Sequence, residues 1–156
     1  MVVAIGVGEK APEFVLPDQH GTEVGLTELT ADKNVVVVFY PFAFTGVCSG
    51  ELRALRDNQP RFEAAGAVVV AISCDTRFAL RVFAEQEGFD FPLLADFWPH
   101  GAVARSYGVF DEERGCALRG TFVIDKSGLV KWTVVNPIPE ARDVEALLEV
   151  VEALPR

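Results

Sequence analysis

The sequence has few of the residues that mark several large classes of protein. Its three cysteines and two histidines are scattered without C-x-x-C or H-x-x-x-H spacing, so we expect neither a disulfide framework nor a metal site. Lysine and arginine number 14 against 23 acidic residues, and the formal net charge of -9 argues against binding to nucleic acid or to an anionic membrane surface. No stretch approaches the ~20 apolar residues of a membrane span. Residues 1–8 lack a basic leader with an apolar core, so we expect no secretory signal and a cytoplasmic location.

The overall composition is typical of a globular protein. Half of the 156 residues are apolar, charges are spread along the chain, and there is no internal repeat, low-complexity tract or linker. A chain of this length buries roughly 70% of its unfolded surface and needs no cross-link for stability. We therefore predict a single domain over residues 1–156.

Periodicity predicts strands and helices that alternate and then end in a hairpin. Residues 35–40 and 67–73 are apolar on both parities, as expected of strands buried on both faces. Helical patterns follow each of these strands, and the turn at residues 125–128 joins two later strands. The predicted strands are residues 14–16, 22–26, 35–40, 67–73, 91–95, 121–124 and 129–135, and the predicted helices are 26–29, 47 onward with an interruption near Pro60, 78–86 capped by Asp75 or Thr76, 102–107 and 143–154. The pattern predicts an α/β fold with a mixed central sheet flanked by helices.

One cysteine lies where a predicted strand gives way to a predicted helix, in the segment PFAFTGVC of residues 41–48. Free backbone N–H groups and the positive end of the helix dipole gather at a helix start and favour a thiolate at Cys48. Gly46 and Val47 offer N–H groups near the sulfur, and the Thr45 hydroxyl can reach the same pocket as donor or acceptor. Pro41 ends the strand and can shield the sulfur from water. The apolar neighbours oppose a buried anion, so the thiolate requires a compensating cation.

The motif P-x-x-x-T-x-x-C in this setting resembles the active-site loop of peroxiredoxins, the thiol peroxidases. Residues 8–14 look like the opening segment of that family, and residues 119–125 look like the segment that carries its distal arginine. Residues 91–101 and 108–110 are similar to the actinobacterial one-cysteine branch, alkyl hydroperoxide reductase E. The resemblance covers nearly the whole chain. It implies a thioredoxin-like fold with an N-terminal extension and an insertion over residues 91–107.

The resemblance also implies an assignment of catalytic roles. Cys48 becomes the peroxidatic nucleophile, Thr45 and Arg119 position peroxide, and Pro41 shields the thiolate. Arg119 is then the cation that the site requires, because a guanidinium keeps its charge when partly buried and its planar fork can address sulfur and oxygen together. The implied cycle takes the thiolate to a sulfenic acid, which an external thiol reduces.

Substrate binding and partners are implied by the same resemblance. Gly46 and Val47 are expected to bind peroxide through their N–H groups, and Glu51 falls where many family members place a polar residue near the arginine. The expected substrates are hydrogen peroxide, organic hydroperoxides and peroxynitrite, with no cofactor. The implied reductants are the low-molecular-weight thiol mycothiol and a mycoredoxin-like protein. The implied assembly is a homodimer that can build larger rings.

Alternatives remain open from the residues alone. Cys116 follows a loop-like stretch, which predicts an exposed sulfur, and either it or Cys74 could resolve the sulfenic acid as a disulfide in a two-cysteine peroxidase. The chain could also be a non-enzymatic redox sensor or holdase whose apolar side chains, such as Phe97 and Trp98, meet a partner. A thioredoxin-like disulfide reductase is disfavoured, because Thr45 occupies the place of the first cysteine in a C-x-x-C motif.

Overall fold

The computed structural model describes residues 4–156, so the first three residues of the predicted domain of residues 1–156 lie outside the described part. A five-stranded sheet lies at the centre, with two short two-stranded sheets beside it. The strands are β1 (Val15–Pro17), β2 (Glu23–Gly25), β3 (Asn34–Phe39), β4 (Ala67–Ser73), β5 (Leu93–Ala95), β6 (Phe110–Asp111), β7 (Cys116–Ala117), β8 (Arg119–Ile124) and β9 (Val130–Asn136). The helices are α1 (Leu26–Thr30), α2 (Gly46–Asp57), α3 (Gln59–Ala64), α4 (Arg77–Glu87), α5 (Ala102–Ser106) and α6 (Val144–Ala153).

The central sheet has the strand order β5-β4-β3-β8-β9 and contains both parallel and antiparallel neighbours. β3 pairs in parallel with β4, and β4 with β5, because helices cross over between the strands of each pair. β8 runs antiparallel to β3 and to β9, which it joins through the predicted hairpin. This topology confirms the predicted α/β fold with a mixed sheet.

β3 lies in the middle of the sheet because both of its faces are apolar. Val35, Val37 and Phe39 pack in one cluster with side chains from β1, α1 and α5. Val36 and Val38 pack in a second cluster with side chains from α2, α3, α4 and α6. All five side chains are completely buried. The two layers fix the carboxyl end of β3 in the interior, and with it the start of the loop that leads to α2.

Local sequence explains where the helices begin and end. α2 ends at Asp57 and α3 begins at Gln59, with Pro60 in the first turn of α3, which confirms the predicted interruption. Of the two predicted caps of α4, Thr76 is the one used, since its Oγ1 accepts the Ala79 N–H at 3.2 Å.

Several boundaries differ from the prediction. β6 and β7 form a small hairpin that the sequence did not predict, around a turn at residues 112–115 that was predicted as a loop. Arg119, predicted to precede a strand, is the first residue of β8. The predicted strand at residues 91–95 is shorter, since β5 begins at Leu93. No helix within residues 4–156 is long and apolar enough to cross a membrane.

Candidate active site

The chain turns from β3 into α2 through a short loop that presents Cys48. α2 begins at Gly46, with Thr45 at its N-cap in extended backbone, and Cys48 lies in the first turn. The Thr45 carbonyl accepts the Ser49 N–H at 2.8 Å, which closes that turn. No side chain of the described residues caps α2. The N–H groups of its first turn are therefore available to an anion or to a polar ligand.

The Thr45 hydroxyl is used within the loop. It donates to the Phe42 carbonyl oxygen at 2.9 Å, and the Thr45 side chain is exposed. The sequence predicted a hydroxyl that could serve the Cys48 pocket as donor or acceptor. Because the Thr45 hydroxyl donates its proton to the Phe42 carbonyl, its oxygen can serve the pocket only as a hydrogen-bond acceptor.

The loop contains one strained residue and is tied to the neighbouring strand. Phe44 has a φ of 70°, in the left-handed region that costs a residue other than glycine about 1–2 kcal/mol. Its ring packs on Phe83, with the centroids 5.0 Å apart. The Ala43 N–H donates to Asp75 Oδ2 at 2.9 Å, and Ser73 Oγ donates to the same oxygen at 2.7 Å. These contacts hold the loop against the carboxyl end of β4.

The sulfur of Cys48 is enclosed by apolar groups. Cys48 is 0% exposed and shares an interior cluster with Tyr40, Ala43 and Leu52. Pro41 is also buried, at the point where the loop leaves the sheet. A thiolate in these surroundings is desolvated, so its stability depends on nearby positive charge.

Two buried arginines share one carboxylate on the helix that carries Cys48. Arg119 Nη1 lies 2.6 Å from Glu51 Oε1, and Arg142 Nη1 donates to the same oxygen. The backbone N–H of Arg142 also donates to Glu51 Oε2 at 3.2 Å. Each guanidinium has a further anchor, because Arg119 Nε donates to the Ile138 carbonyl and Arg142 Nε donates to Thr121 Oγ1 at 2.8 Å. Glu51 therefore lies beside the arginine, as predicted.

This network carries a net positive charge. Two guanidiniums face a single carboxylate, and none of the three side chains is more than 3% exposed. Burial lowers the pKa of Arg142, while negative charge on Glu51 and on Cys48 raises it again. Glu51 and Cys48 lie one helical turn apart on α2, so the two guanidiniums bind the same helix that carries the reactive sulfur. An anion at Cys48 would bring the buried charges into balance.

The sequence predicted one of the two arginines and missed the other. Arg142 precedes Asp143, the N-cap of α6, and reaches the site from a distant part of the chain. A cation at the start of a helix is unfavourable beside the helix dipole. That unfavourable placement was the local sign that the Arg142 side chain binds a distant part of the chain, here Glu51 and Thr121.

The other two cysteines are buried thiols. The prediction of an exposed Cys116 is wrong: it is 0% exposed, because β7 pairs with β6 and turns inward. Cys74, which follows β4, is also buried. Burial raises the pKa of Cys74 to about 12 and raises the pKa of Cys116 above its usual range. Both stay protonated near neutral pH, and a protonated thiol is a poor nucleophile.

Large apolar side chains are exposed beside the active-site loop. We call them the aromatic patch, which comprises Phe42, Phe44, Phe78, Phe97 and Trp98. Phe78, Phe97 and Trp98 line one depression. The hydrogen bond from the Ala43 N–H to Asp75 places the active-site loop, with Phe42 and Phe44, next to the segment that leads to Phe78. Trp98 is 80% exposed. Exposed aromatic groups of this size and number are typical of an interaction surface.

Comparisons with known proteins agree with this site. The model of the AhpC/TSA family matches residues 7–133. Alkyl hydroperoxide reductase E from Mycobacterium tuberculosis and from Mycobacterium bovis is 46% identical over 150 residues, covering 96% of this chain and 98% of the relative.

Solved structures give the same result. The crystal structure of peroxidoxin BcpB from Mycobacterium tuberculosis has a TM-score of 0.87 and 34% identity, over 96% of this chain and 98% of that chain. The reduced 2-Cys peroxiredoxin from Plasmodium vivax has a TM-score of 0.85 and 26% identity, over 94% of this chain and 80% of that chain. These similarities confirm the thioredoxin-like fold and the resemblance to alkyl hydroperoxide reductase E. The chain belongs to the AhpC/TSA family and is a peroxiredoxin, an enzyme of the thiol peroxidase class.

Proposed function

We propose that this peroxiredoxin reduces hydrogen peroxide, organic hydroperoxides and peroxynitrite through a one-cysteine cycle at Cys48. The observation that carries the proposal is the buried pair Arg119 and Arg142, which share the single carboxylate of Glu51, one helical turn after Cys48 on α2. A Cys48 thiolate completes a set of two positive and two negative charges. The thiolate is also the form of cysteine that attacks peroxide.

The chemical step is a displacement at oxygen. The thiolate attacks one oxygen of R′OOH, the O–O bond breaks, and the other oxygen leaves with the peroxide proton as R′OH. The sulfur is oxidised to a sulfenate and the peroxide is reduced. Charge moves from sulfur to the leaving oxygen in the transition state, so preorganised donors around the two oxygens lower the barrier.

The residues around Cys48 have the chemistry that this step needs. The N–H groups of Gly46 and Val47, at the uncapped start of α2, are donors for the leaving oxygen. Arg119 stabilises both the thiolate and the developing oxyanion, and the Thr45 oxygen accepts the proton of the bound hydroperoxide. Pro41 keeps water from the sulfur.

Glu51 acts on the arginines rather than on peroxide. Its carboxylate accepts hydrogen bonds from both guanidiniums and from the Arg142 backbone, and its side chain is 0% exposed. It is therefore a positioning residue, which holds Arg119 at the angle that the reaction requires.

Rapid mixing with peroxide tests the nucleophile, with tryptophan fluorescence as the signal. Trp132 lines the same small cavity as Arg142, so its emission is sensitive to charge changes in the network. We expect Cys48→Ser to abolish the oxidation phase, and Cys74→Ser and Cys116→Ser to leave it intact. A normal oxidation rate in Cys48→Ser would refute the proposal.

The same geometry supports an external reductant. Cys74 and Cys116 are buried and protonated near neutral pH, so neither is prepared to attack a sulfenic acid at Cys48. We propose that a cytoplasmic low-molecular-weight thiol of the mycothiol type reduces the sulfenic acid, with a mycoredoxin-like partner releasing the mixed disulfide.

Mass analysis without reductant, after one equivalent of peroxide, distinguishes the two kinds of cycle. A stable adduct of one oxygen on Cys48 supports the one-cysteine cycle. Loss of two hydrogens would instead identify a disulfide with Cys116 or Cys74, and would overturn the proposed recycling while leaving Cys48 as the nucleophile.

We also propose that the aromatic patch is the contact of a homodimer, which can associate into larger rings. Sedimentation of the wild-type chain and of Trp98→Glu tests this, because a buried charge at the centre of an apolar contact opposes association. Val7→Glu is the matched control, since Val7 is 64% exposed and is not part of the patch. A dimer that persists in Trp98→Glu would contradict this contact.

A further inference from the structure

Tyr40 is a buried polar residue that the proposed cycle does not use. It follows β3 directly, and its N–H donates to the Ile72 carbonyl at 3.1 Å, which fixes its backbone beside β4. The side chain is completely buried, in the same interior cluster as Ala43, Cys48 and Leu52. The ring therefore lies beneath the active-site loop, on the face of the sheet that carries α2.

The hydroxyl group of Tyr40 has no hydrogen-bond partner within residues 4–156. Buried hydroxyl groups nearly always have one, because their lost hydration is otherwise uncompensated. Ser73 lies close enough to lower the pKa of Tyr40, but its hydroxyl gives its proton to Asp75 Oδ2 at 2.7 Å, and Tyr40 Oη forms no contact with it of full hydrogen-bond geometry. Tyr107, the other buried tyrosine, differs in that its Oη donates to the Pro12 carbonyl at 2.7 Å.

Tyr40 and Cys48 share one buried cluster, and charges at the reactive site act on the Tyr40 hydroxyl. Asp75, Cys48 and Arg142 all influence its ionisation, so Oη lies within electrostatic reach of the sulfur and of the arginine network. Burial raises the pKa of Tyr40 far above its usual range, and the hydroxyl therefore keeps its proton throughout the neutral range. In the reduced enzyme Tyr40 is thus a neutral donor that makes no well-formed hydrogen bond.

We propose that Tyr40 Oη–H donates a hydrogen bond to the oxygen that peroxide leaves on Cys48, an inference that rests on the proposed role of Cys48. The thiolate displaces R′OH from R′OOH and retains one oxygen as a sulfenate. As the S–O bond forms, that oxygen becomes the acceptor that the hydroxyl lacks. A contact that forms only as the reaction proceeds stabilises the transition state relative to the reactants and speeds the step.

The two buried tyrosines provide a matched pair of variants. Tyr40→Phe keeps the ring and removes an unpaired hydroxyl, so we expect the second-order rate constant of oxidation to fall about tenfold while the melting temperature stays unchanged or rises. Tyr107→Phe removes a hydroxyl that is bonded to the Pro12 carbonyl, in the cluster on the other face of the sheet. We expect it to leave oxidation unchanged and to lower the melting temperature by about 2–4 °C.

Alkylation with iodoacetamide separates oxygen transfer from general thiol reactivity, because it places no oxygen on sulfur. We expect Cys48 to be alkylated at the wild-type rate in Tyr40→Phe. An unchanged peroxide rate in this variant, an equal loss of rate with peroxide and iodoacetamide, or a lower melting temperature overturns the inference. Failure of the proposed function has a different signature, since the wild-type enzyme itself would then show no oxidation at Cys48.

Discussion

Glu51 and Arg119 form an ion pair of 2.6 Å between side chains that are 0% and 3% exposed. Glu51 belongs to α2, which carries Cys48, and Arg119 begins β8 in the central sheet. The pair therefore couples the helix of the nucleophile to the sheet. Arg142 binds the same carboxylate, so removal of Glu51 leaves the two guanidiniums with only the Cys48 thiolate as a counter-charge.

Stability should depend strongly on Glu51. We expect Glu51→Gln to lower the free energy of unfolding by about 3–5 kcal/mol, because it leaves one excess positive charge buried among the two guanidiniums. Urea denaturation followed by circular dichroism measures this change. Glu87→Gln is the control, since Glu87 pairs with the exposed Arg53 on the surface and its loss should have little effect. Equal effects of the two variants would contradict the importance assigned to the buried network.

Oxidation should depend on the shape as well as the charge of Arg119. We expect Arg119→Ala to slow oxidation by well over tenfold, because the Arg119 guanidinium is expected to stabilise both the Cys48 thiolate and the transition state. Arg119→Lys should restore little of this rate, since a lysine cannot reproduce the fork that meets Glu51 and the Ile138 carbonyl. Stopped-flow kinetics measure both rates, with Arg105→Lys on the surface as the control. A wild-type rate in Arg119→Lys would show that charge alone suffices.

An alanine variant is usually more stable than a glycine variant, but the strained backbone of Phe44 should reverse this order of stability. Both Phe44→Ala and Phe44→Gly lose the contact with Phe83, but only glycine adopts the φ of 70° without strain. We expect Phe44→Gly to be more stable than Phe44→Ala by about 0.5–1 kcal/mol in chemical denaturation. At Phe42, whose φ is not positive, the alanine variant should be the more stable of the two. The same order at both positions would refute the strain.

Stability should decline in mildly alkaline solution partly because of Cys74. Burial raises the pKa of Cys74 to about 12 in the folded state, whereas an unfolded cysteine ionises near ~8.5. Between these values the folded state binds the proton and the unfolded state does not, so the free energy of unfolding falls as pH rises above ~8.5. Urea denaturation from neutral pH to pH ~10 should show a shallower decline in Cys74→Ala than in the wild type. Parallel curves would exclude this contribution.

The sequence predicted the strands and helices that are specified by neighbouring residues. The apolar run that became β3, the helix start at Cys48 and the hairpin before β9 are each encoded in neighbouring residues, and the structure has all three. Arg119 was also identified, but through the resemblance to peroxiredoxins and not through spacing. Glu51 was placed correctly beside it for the same reason.

The remaining features depend on contacts between distant segments. The burial of Cys116 follows from how the β6–β7 hairpin packs, and the position of Arg142 follows from how α6 meets the sheet. The φ of Phe44 is imposed by a loop held at Asp75, since phenylalanine has no preference of its own for that region. The environment of the Tyr40 hydroxyl depends on how β3 and β4 bring Tyr40 beside Ser73 and Asp75, which are distant from it in the sequence.

The complete enclosure of Cys48 has a kinetic consequence for regeneration of the enzyme. A sulfur with 0% exposure can be reached by a bulky thiol only after the structure around it opens. Reduction then follows a unimolecular opening, so its rate should level off as the reductant concentration increases. The plateau would equal the opening rate and would be the same for every thiol, whatever its nucleophilicity.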